Sequence, residues 1–305
     1  MEKATLTFKH VSLPCGGSGL GRLYTVNLFT GSCPHSCLYC YAAGFKRYRD
    51  GDPRPVSPEA IRNIKRWPGR LFLSSATDPF HPMVSGLAEE LLRSALAAGT
   101  FVVISTKALA TPGILEVLTQ YSDQVSHTVS LSSLSDARNR ILEPNAPSAM
   151  ERLHGRGANG ETALYGIEQF ARNGIHVTLK ADTLFPGVDD TEINITSLLK
   201  EGRGAGAKAI TLSYAFYRNK FKRKLAGVPL LKDSIATMYE SQPIASGSGF
   251  SLPLSEKRER LLAMAHVAKD LGFDVISTCR CKNQIGAVPE GSGLRITCHF
   301  HDRWF

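Results

Sequence analysis

Short β-rich runs alternating with amphipathic stretches set the tightest limit on how this chain can fold. After an apolar, strand-like run at 23–29, the sequence predicts a helix with Ser57 as N-cap, Pro58 at its first position and Glu59 in its first turn. It should run to about Arg66, ahead of Pro68. A strand follows at 71–74, then a helix at 87–98 closed by Gly99 just past its C-cap. The pattern continues with a strand at 101–104, a helix at 114–121, a strand at 125–131, and a long helical region at 148–173 interrupted near 155–160. A strand at 175–179, a helix at 192–201 and a strand at 209–212 complete it. Six strands separated by helices argue for a parallel α/β architecture, with candidate site residues directly after the strands. Six repeats fall short of a closed eightfold barrel.

Composition narrows the setting. A chain of 305 residues that is 43% hydrophobic can bury one large core or two small ones. No stretch approaches the roughly 18 apolar residues that cross a bilayer, and the first ten residues show no signal-like apolar region. The expected location is the cytoplasm, where thiols stay reduced, with no membrane partner. The net charge of +9 and a pI near 9.2 point to a polyanionic partner. A basic run at 218–224, flanked by Tyr214, Phe216 and Tyr217, puts Arg218, Lys222 and Arg223 forward as nucleic-acid contacts. Cations interleaved with aromatics can meet phosphates and stack on bases; a solvated, lysine-rich connector is the other reading.

Seven cysteines, an odd number in clumps, suit metal ligation better than disulfide pairing. Cys33, Cys37 and Cys40 stand on a loop after the first strand-like run, spaced Cys-x3-Cys-x-Tyr-Cys. Thiolates at this spacing can converge on one metal centre. Three ligands leave a coordination position open, and an open position suggests chemistry. A structural zinc knuckle completed by His35 or a distant cysteine is the plainer alternative. The other four are Cys15, Cys279, Cys281 and Cys298, and four is the number for a fully ligated second iron–sulfur cluster. Cys279 and Cys281 follow a predicted helix at 255–271, N-capped by Ser255 and ended by Gly272, and a strand at 273–277. Arg280 and Lys282 beside them suit thiolates. His299 or substrate could replace Cys15 as fourth ligand; a small zinc site and unrelated thiols compete with the cluster.

The three-cysteine signature resembles that of the radical S-adenosylmethionine (radical SAM) enzymes. The resemblance implies a [4Fe–4S] cluster on Cys33, Cys37 and Cys40 whose fourth iron chelates SAM. Reduction by a donor such as flavodoxin or ferredoxin would release a 5′-deoxyadenosyl radical that abstracts hydrogen from substrate. It also implies a partial (β/α)6 TIM-type barrel over 23–215, between an N-terminal segment at 1–22 and a C-terminal extension at 216–305. Tyr39 fits the position that packs near the adenine in that family.

The polar clusters after the strands narrow the resemblance. They are Ser-Ser-Ala-Thr-Asp-Pro-Phe-His-Pro at 74–82, Thr106 with Lys107, Ser130-Leu-Ser followed by Glu-Pro-Asn-Ala-Pro at 143–147, and Leu-Phe-Pro-Gly-Val-Asp-Asp at 184–190. Each alone reads equally as turn chemistry, capping or a surface lysine. In this order they are similar to the spore photoproduct lyase-like, or DNA repair photolyase-like, group over about 22–215. That similarity implies Lys107 at the SAM carboxylate, Ser130 by the nucleoside, Tyr39 and Tyr41 flanking the cofactor, and Thr77 and Asp78 offering it oxygens. One departure matters: the lyases keep a hydrogen-donating cysteine close to the position of Ser75, and a serine O–H is too strong to quench a carbon radical. The expected function is radical SAM chemistry on damaged DNA or another nucleic acid. The competing readings are radical modification of a peptide or small metabolite aided by a second cluster, and a zinc-stabilised nucleic-acid-binding protein.

Overall fold

The computed structural model describes residues 6, 8–10, 23–157, 163–217, 222–240, 244–246, 249–278 and 296–298. Its strands are Lys9–His10 (β1), Tyr24–Val26 (β2), Phe29–Thr30 (β3), Arg54–Pro55 (β4), Arg70–Leu73 (β5), Phe101–Thr106 (β6), Val125–Ser130 (β7), Val177–Leu184 (β8), Ala209–Tyr214 (β9), Ile244–Ser246 (β10), Gly249–Ser251 (β11), Val275–Thr278 (β12) and Ile296–Cys298 (β13). Its α-helices are Lys46–Arg49 (α1), Pro58–Arg62 (α2), Ser85–Ala97 (α3), Pro112–Gln120 (α4), Asp136–Leu142 (α5), Ala149–His154 (α6), Ile167–Arg172 (α7), Glu192–Gly204 (α8), Lys222–Ala226 (α9) and Leu254–Asp270 (α10). Two compact units result. The first takes the described residues up to Ser36, Cys40–Val129 and Pro144–Val177; the second takes Cys37–Tyr39, Ser130–Glu143 and the described residues from Thr178 on.

In the first unit β2, β5, β6 and β7 run parallel in that order, with β1 antiparallel beside β2. Period-two burial shapes these strands: Leu71, Leu73, Val102 and Ile104 are fully buried, while Phe72, Val103 and Ser105 between them are half-buried. α3 buries Ala88, Leu91, Leu92, Ala95 and Leu96, one stripe of a 3.6-residue period. Gly99 follows it at φ +79°, in the left-handed region that ends helices without a Cβ clash. Ser57 caps α2 as expected, accepting from the Ala60 N–H at 3.3 Å, but the helix stops at Arg62 because only Ile61 finds a buried place. α4 starts two residues earlier than predicted, at Pro112, with Thr111 as its N-cap.

The helical region expected at 148–173, with an interruption near 155–160, is two short helices, Ala149–His154 and Ile167–Arg172. Ser148 and Glu151 form a capping box at the start of α6. Gly155, at φ +77°, ends it. Gly166 then enters α7 so close to the first helix that a Cβ would stand 2.6 Å from the Arg152 carbonyl oxygen. A continuous helix would need side-chain-bearing residues at both places.

In the second unit β8, β9, β12 and β13 run parallel in that order. β12, which overlaps the strand predicted at 273–277, joins the strands in parallel beside β9. α10 starts with Pro253 as its cap, not Ser255, and Gly272 follows at φ +82°. The Tyr214 hydroxyl donates to Asp190 at 2.6 Å and Arg260 donates to the same oxygen at 2.7 Å, tying α10 to the end of β9. No described helix is long and apolar enough to cross a membrane.

One core residue breaks the apolar pattern. His127 follows Leu73 and Ile104 across the buried rows of β5, β6 and β7 and is 0% exposed. Its ring lies 5.7 Å from that of Phe80 and 4.2 Å from that of Phe170, and neither ring nitrogen has a hydrogen-bond partner. Burial holds its pKa down at about 3, against the pull of the Asp78 charge. The unfolded imidazole titrates near ~6.5, so below that pH the unfolded chain takes a proton that the folded ring refuses. Its effect therefore destabilises the fold progressively as pH falls from 6.5 toward 3. Between pH 7.5 and 5.5 this amounts to about 1.4 kcal/mol. Urea denaturation of wild type and His127→Leu at those two pH values should show a pH dependence smaller by that amount in the variant. Equal slopes would refute the assignment.

Candidate active site

β3 leads into the cysteine loop. Cys33, Cys37 and Cys40 are reduced thiols outside any disulfide, each partly buried. Burial pushes the Cys33 thiol up to about 11, while the backbone N–H groups of His35 and Asp78 act the other way. His35 is 4% exposed and bridges two acceptors. Its Nδ1 lies 3.2 Å from the Asn145 carbonyl oxygen and its Nε2 lies 3.1 Å from Asp78 Oδ2. The Asn145 amide donates back to the Pro34 carbonyl at 2.7 Å.

Asp78 is the hub of the first unit. Oδ1 accepts from the Phe80 N–H at 3.0 Å, an Asx turn across Pro79, and from the Thr106 hydroxyl at 2.7 Å. Oδ2 accepts from the Lys107 and Ala108 N–H groups at 2.6 and 3.2 Å, in addition to His35. Burial alone would raise its pKa; His35, the Lys107 N–H and Thr106 outweigh that and hold it well below the usual carboxylate range. The resemblance implies that Asp78 offers oxygens to the cofactor. In the structure both oxygens bind the protein, so Asp78 joins the end of β6 to the cysteine loop.

The other expected residues of this unit lie close by in the chain. Thr77 is buried and donates to Asn27 at 3.3 Å, and Asn27 also accepts from the Ala76 N–H at 2.9 Å. Ser74, at φ +57°, turns the chain sharply at the end of β5. Ser75 follows half-buried, and its carbonyl accepts from the exposed Tyr41 hydroxyl. Lys107 is half-buried just past β6.

The second unit holds the middle of the loop by a different set of groups. The Leu38 N–H donates to the Leu142 carbonyl at 2.9 Å, and the Tyr39 hydroxyl donates to Glu143. The Tyr39 ring meets Phe185 edge-on at 6.1 Å. Burial, then the Glu143 carboxylate, raises the Tyr39 pKa, so the phenol stays protonated. Arg138 grips Asp189 with two bonds of 2.9 and 2.8 Å and reaches Glu143 at 3.5 Å. Burial opposes its charge, but Asp189 and Glu143 outweigh it and its pKa is raised. Ser130 ends β7, 7% exposed.

Asn145, Arg138 and Glu143 were not expected as site residues, and His35 only as a ligand completing a zinc knuckle. The signals were present: Asn145 and Glu143 lie in the 143–147 motif, and Asp189 in the 184–190 run. Cys15, Cys279, Cys281, Arg218 and His299 lie outside the described residues. Cys298 belongs to β13, and Lys222 and Arg223 to α9, by backbone only.

Among the described residues no three His, Cys, Asp or Glu side chains converge on one ion. A [4Fe–4S] cluster takes its thiolates on separate irons and asks for no such convergence. Three reduced, partly buried thiols on one braced loop suit that group in chemistry.

The chain matches the radical SAM superfamily over residues 27–199 and belongs to that family. The match includes the cysteine loop and ends before Cys279. The uncharacterized protein ORF301 of Acidianus two-tailed virus is 33% identical over 156 residues, covering 45% of this chain and 51% of the relative. The chain thus matches about half the length of that curated relative. A spore photoproduct lyase variant superimposes with a TM-score of 0.60, at 15% identity, over 90% of this chain and 79% of the lyase. The lyase complexed with dinucleoside spore photoproduct gives 0.57, at 13% identity, over 83% and 75%. SuiB of Streptococcus suis gives 0.55, at 12% identity, over 85% of this chain and 50% of SuiB. These likenesses show the fold: α/β, dominated by parallel strands, of the radical SAM kind.

Removing the hub charge should loosen the loop. Asp78→Asn leaves a buried amide facing donors and should cost about 3 kcal/mol in stability. Iron retention after anaerobic reconstitution should weaken by about tenfold. Limited proteolysis of the iron-free protein should cut near 33–41 faster than in wild type. Unchanged iron retention and cutting would refute the bracing role.

Proposed function

We propose that this radical SAM protein acts on nucleic acid, with repair of a damaged base as its reaction. The observation that carries the class is the braced Cys33–Cys37–Cys40 loop within the family match. Support for the substrate comes from the order of the strand-end motifs, the net charge of +9, and the fold shared with a lyase bound to a dinucleoside photoproduct. A [4Fe–4S] cluster and AdoMet, when bound, supply a 5′-deoxyadenosyl radical, with one electron drawn from a donor such as flavodoxin or ferredoxin.

The chain's own residues position and exclude. Cys33, Cys37 and Cys40 hold the cluster. Lys107 offers a point charge to the AdoMet carboxylate, Ser130 lies by the nucleoside, and Tyr39 and Tyr41 flank the cofactor. Glu143 keeps the Tyr39 ring in place and its phenol protonated. Ser75 cannot return hydrogen to a product radical as a thiol does, so either another residue fills that role or the reaction differs from the lyase's. Cys15, Cys279, Cys281 and Cys298 remain the proposed ligands of a second cluster. The serine at position 75 also supports a second reading, radical modification of a peptide or small metabolite.

Anaerobically reconstituted protein should be brown, absorb near ~400 nm and carry about four iron atoms, or about eight with a second cluster. Alanine at Cys33, Cys37 or Cys40 should abolish AdoMet cleavage. Ultraviolet-damaged DNA should stimulate cleavage in wild type, steeply less so at high salt, and the stimulation should fall when Arg218, Lys222 and Arg223 are replaced by Ala. Zinc-only protein would end the enzyme reading. Cleavage without any response to damaged DNA would favour the peptide or metabolite reading.

A further inference from the structure

We infer that the basic segment after Cys40, which folds back on the approach to Cys33, is the docking surface for an acidic one-electron carrier protein. Its contacts are Phe45, Lys46, Arg47 and Arg54. Such a surface presupposes the radical SAM chemistry proposed above and names where its electron donor binds. The segment begins directly after the last cysteine as a tight helical turn over Tyr41–Gly44 and continues as α1, which buries none of its residues. Its backbone, not its side chains, holds it. The Gly31 N–H donates to the Arg47 carbonyl at 2.8 Å and the Ser32 N–H to the Gly51 carbonyl at 3.0 Å. The Ser32 hydroxyl donates to the Arg49 carbonyl at 2.7 Å. Arg54 stands opposite Thr30 in the β3–β4 pair. Gly31 takes φ +86°, and a Cβ there would run into the Asp52 carbonyl. Residues 47–54 are thereby fastened to Thr30, Gly31 and Ser32, which lead into Cys33, so cations border the cysteine loop at both ends.

Anchoring through carbonyls leaves the side chains to solvent. Lys46, Arg47 and Arg54 are exposed and form no salt bridge among the described residues. Arg49 differs: it donates to Asp50 at 2.8 and 3.0 Å, and those two charges offset each other. Arg62 and Arg93 of the same unit also meet carboxylates. Amid the unpaired cations Phe45 is 51% exposed, its ring edge-on at 6.2 Å to Tyr41, whose hydroxyl is tied to the Ser75 carbonyl. Each feature alone is ordinary on a surface; what distinguishes this patch is its place. A substrate must meet the reacting carbon of the cofactor, whereas an electron carrier must come up to the metal ligands, and this segment is fastened to the chain that bears them. Unpaired cations around an apolar centre steer an acidic partner into fast, salt-sensitive contact over a small area, as transient redox pairs require. A nucleic-acid strand fits less well. Arg47 lies over the Tyr48 ring at 5.9 Å and Phe45 meets Tyr41, so the rings engage protein groups more than they open to bases. In the docked complex the carrier gives up one electron and the holoenzyme takes up one; no bond is made or broken.

The test uses the full-length, anaerobically reconstituted protein with an acidic flavodoxin as the probe. Wild type should bind flavodoxin in a salt-sensitive manner, and combining Lys46→Glu, Arg47→Glu and Arg54→Glu should slow association about tenfold. Phe45→Ala should weaken binding while leaving its salt dependence as in wild type. AdoMet cleavage driven by limiting reduced flavodoxin should fall about tenfold in the triple variant. Cleavage driven by dithionite, a small reductant that needs no docking, should match wild type, as should iron content and DNA binding. Glutamine at the same three positions serves if charge reversal fails to fold, with a smaller loss in the same direction expected. Wild-type flavodoxin affinity in the variants, or no flavodoxin binding by wild type, would overturn the inference. An equal loss with dithionite, or lost iron, would make the segment a support of the cysteine loop and overturn it too. Weakened DNA binding with flavodoxin binding intact would assign the patch to nucleic acid and reject the carrier. Wild type that cleaves no AdoMet even with dithionite would sink the radical SAM reading itself, whereas dithionite-driven cleavage with flavodoxin binding indifferent to the variants sinks only the docking surface.

Discussion

A carboxylate buried among His35, Thr106 and three backbone N–H groups organises the first unit. An isolated ionised carboxylate in such a place would cost many kcal/mol, and its donors are what make it tolerable. The exchange works in both directions. Because Asp78 cannot stay charged without those donors, the end of β6, the turn after β5 and the ring of His35 must be present together. Glutamate would bring an extra rotatable bond and miss the Asx turn with Phe80. Asparagine would aim two hydrogens at groups that are themselves donors.

The second unit applies the same principle to the middle of the loop. Arg138 and Asp189 are almost wholly buried and joined by two parallel bonds, with Glu143 and the Tyr39 hydroxyl next in line. Buried ion pairs contribute modestly to stability but are costly to break singly, which makes them better at fixing one arrangement than at holding a fold together. A loop that must present sulfur ligands at set positions needs that kind of constraint. Outer-shell groups of this sort orient the ligands they touch.

Much of this was legible in the residues, and the failures have identifiable causes. Alternation and capping located β5 to β9 and most of the helices, because periods of 2 and 3.6 report burial directly. In the region 148–173 the interruption near Gly155 was legible from its glycines, but the start of the second helix was not, because the close backbone approach at Gly166 that fixes it is a tertiary contact. The cysteine loop was evident from spacing. A strand-end acid in a Thr-Asp-Pro turn looks the same in sequence whether it faces a ligand or the protein, and the five donors around Asp78 come from residues distant in the chain as well as near it. His35 was considered as a metal ligand for the same reason.

Polar groups inside the second unit follow the same rule of mutual satisfaction. Leu179, Ile210 and Leu212 fill the helix-facing rows at or near zero exposure, as the interior of an α/β protein requires. On the other side of the strands Thr211 and Ser277 are buried as well, and their hydroxyls lie 2.7 Å apart and satisfy each other. His127 shows the contrast: a single ring among apolar side chains, neither of its nitrogens hydrogen-bonded, has no neighbours with which to share a proton. Burying a polar group with its partner costs the fold little, whereas burying one alone makes stability depend on pH.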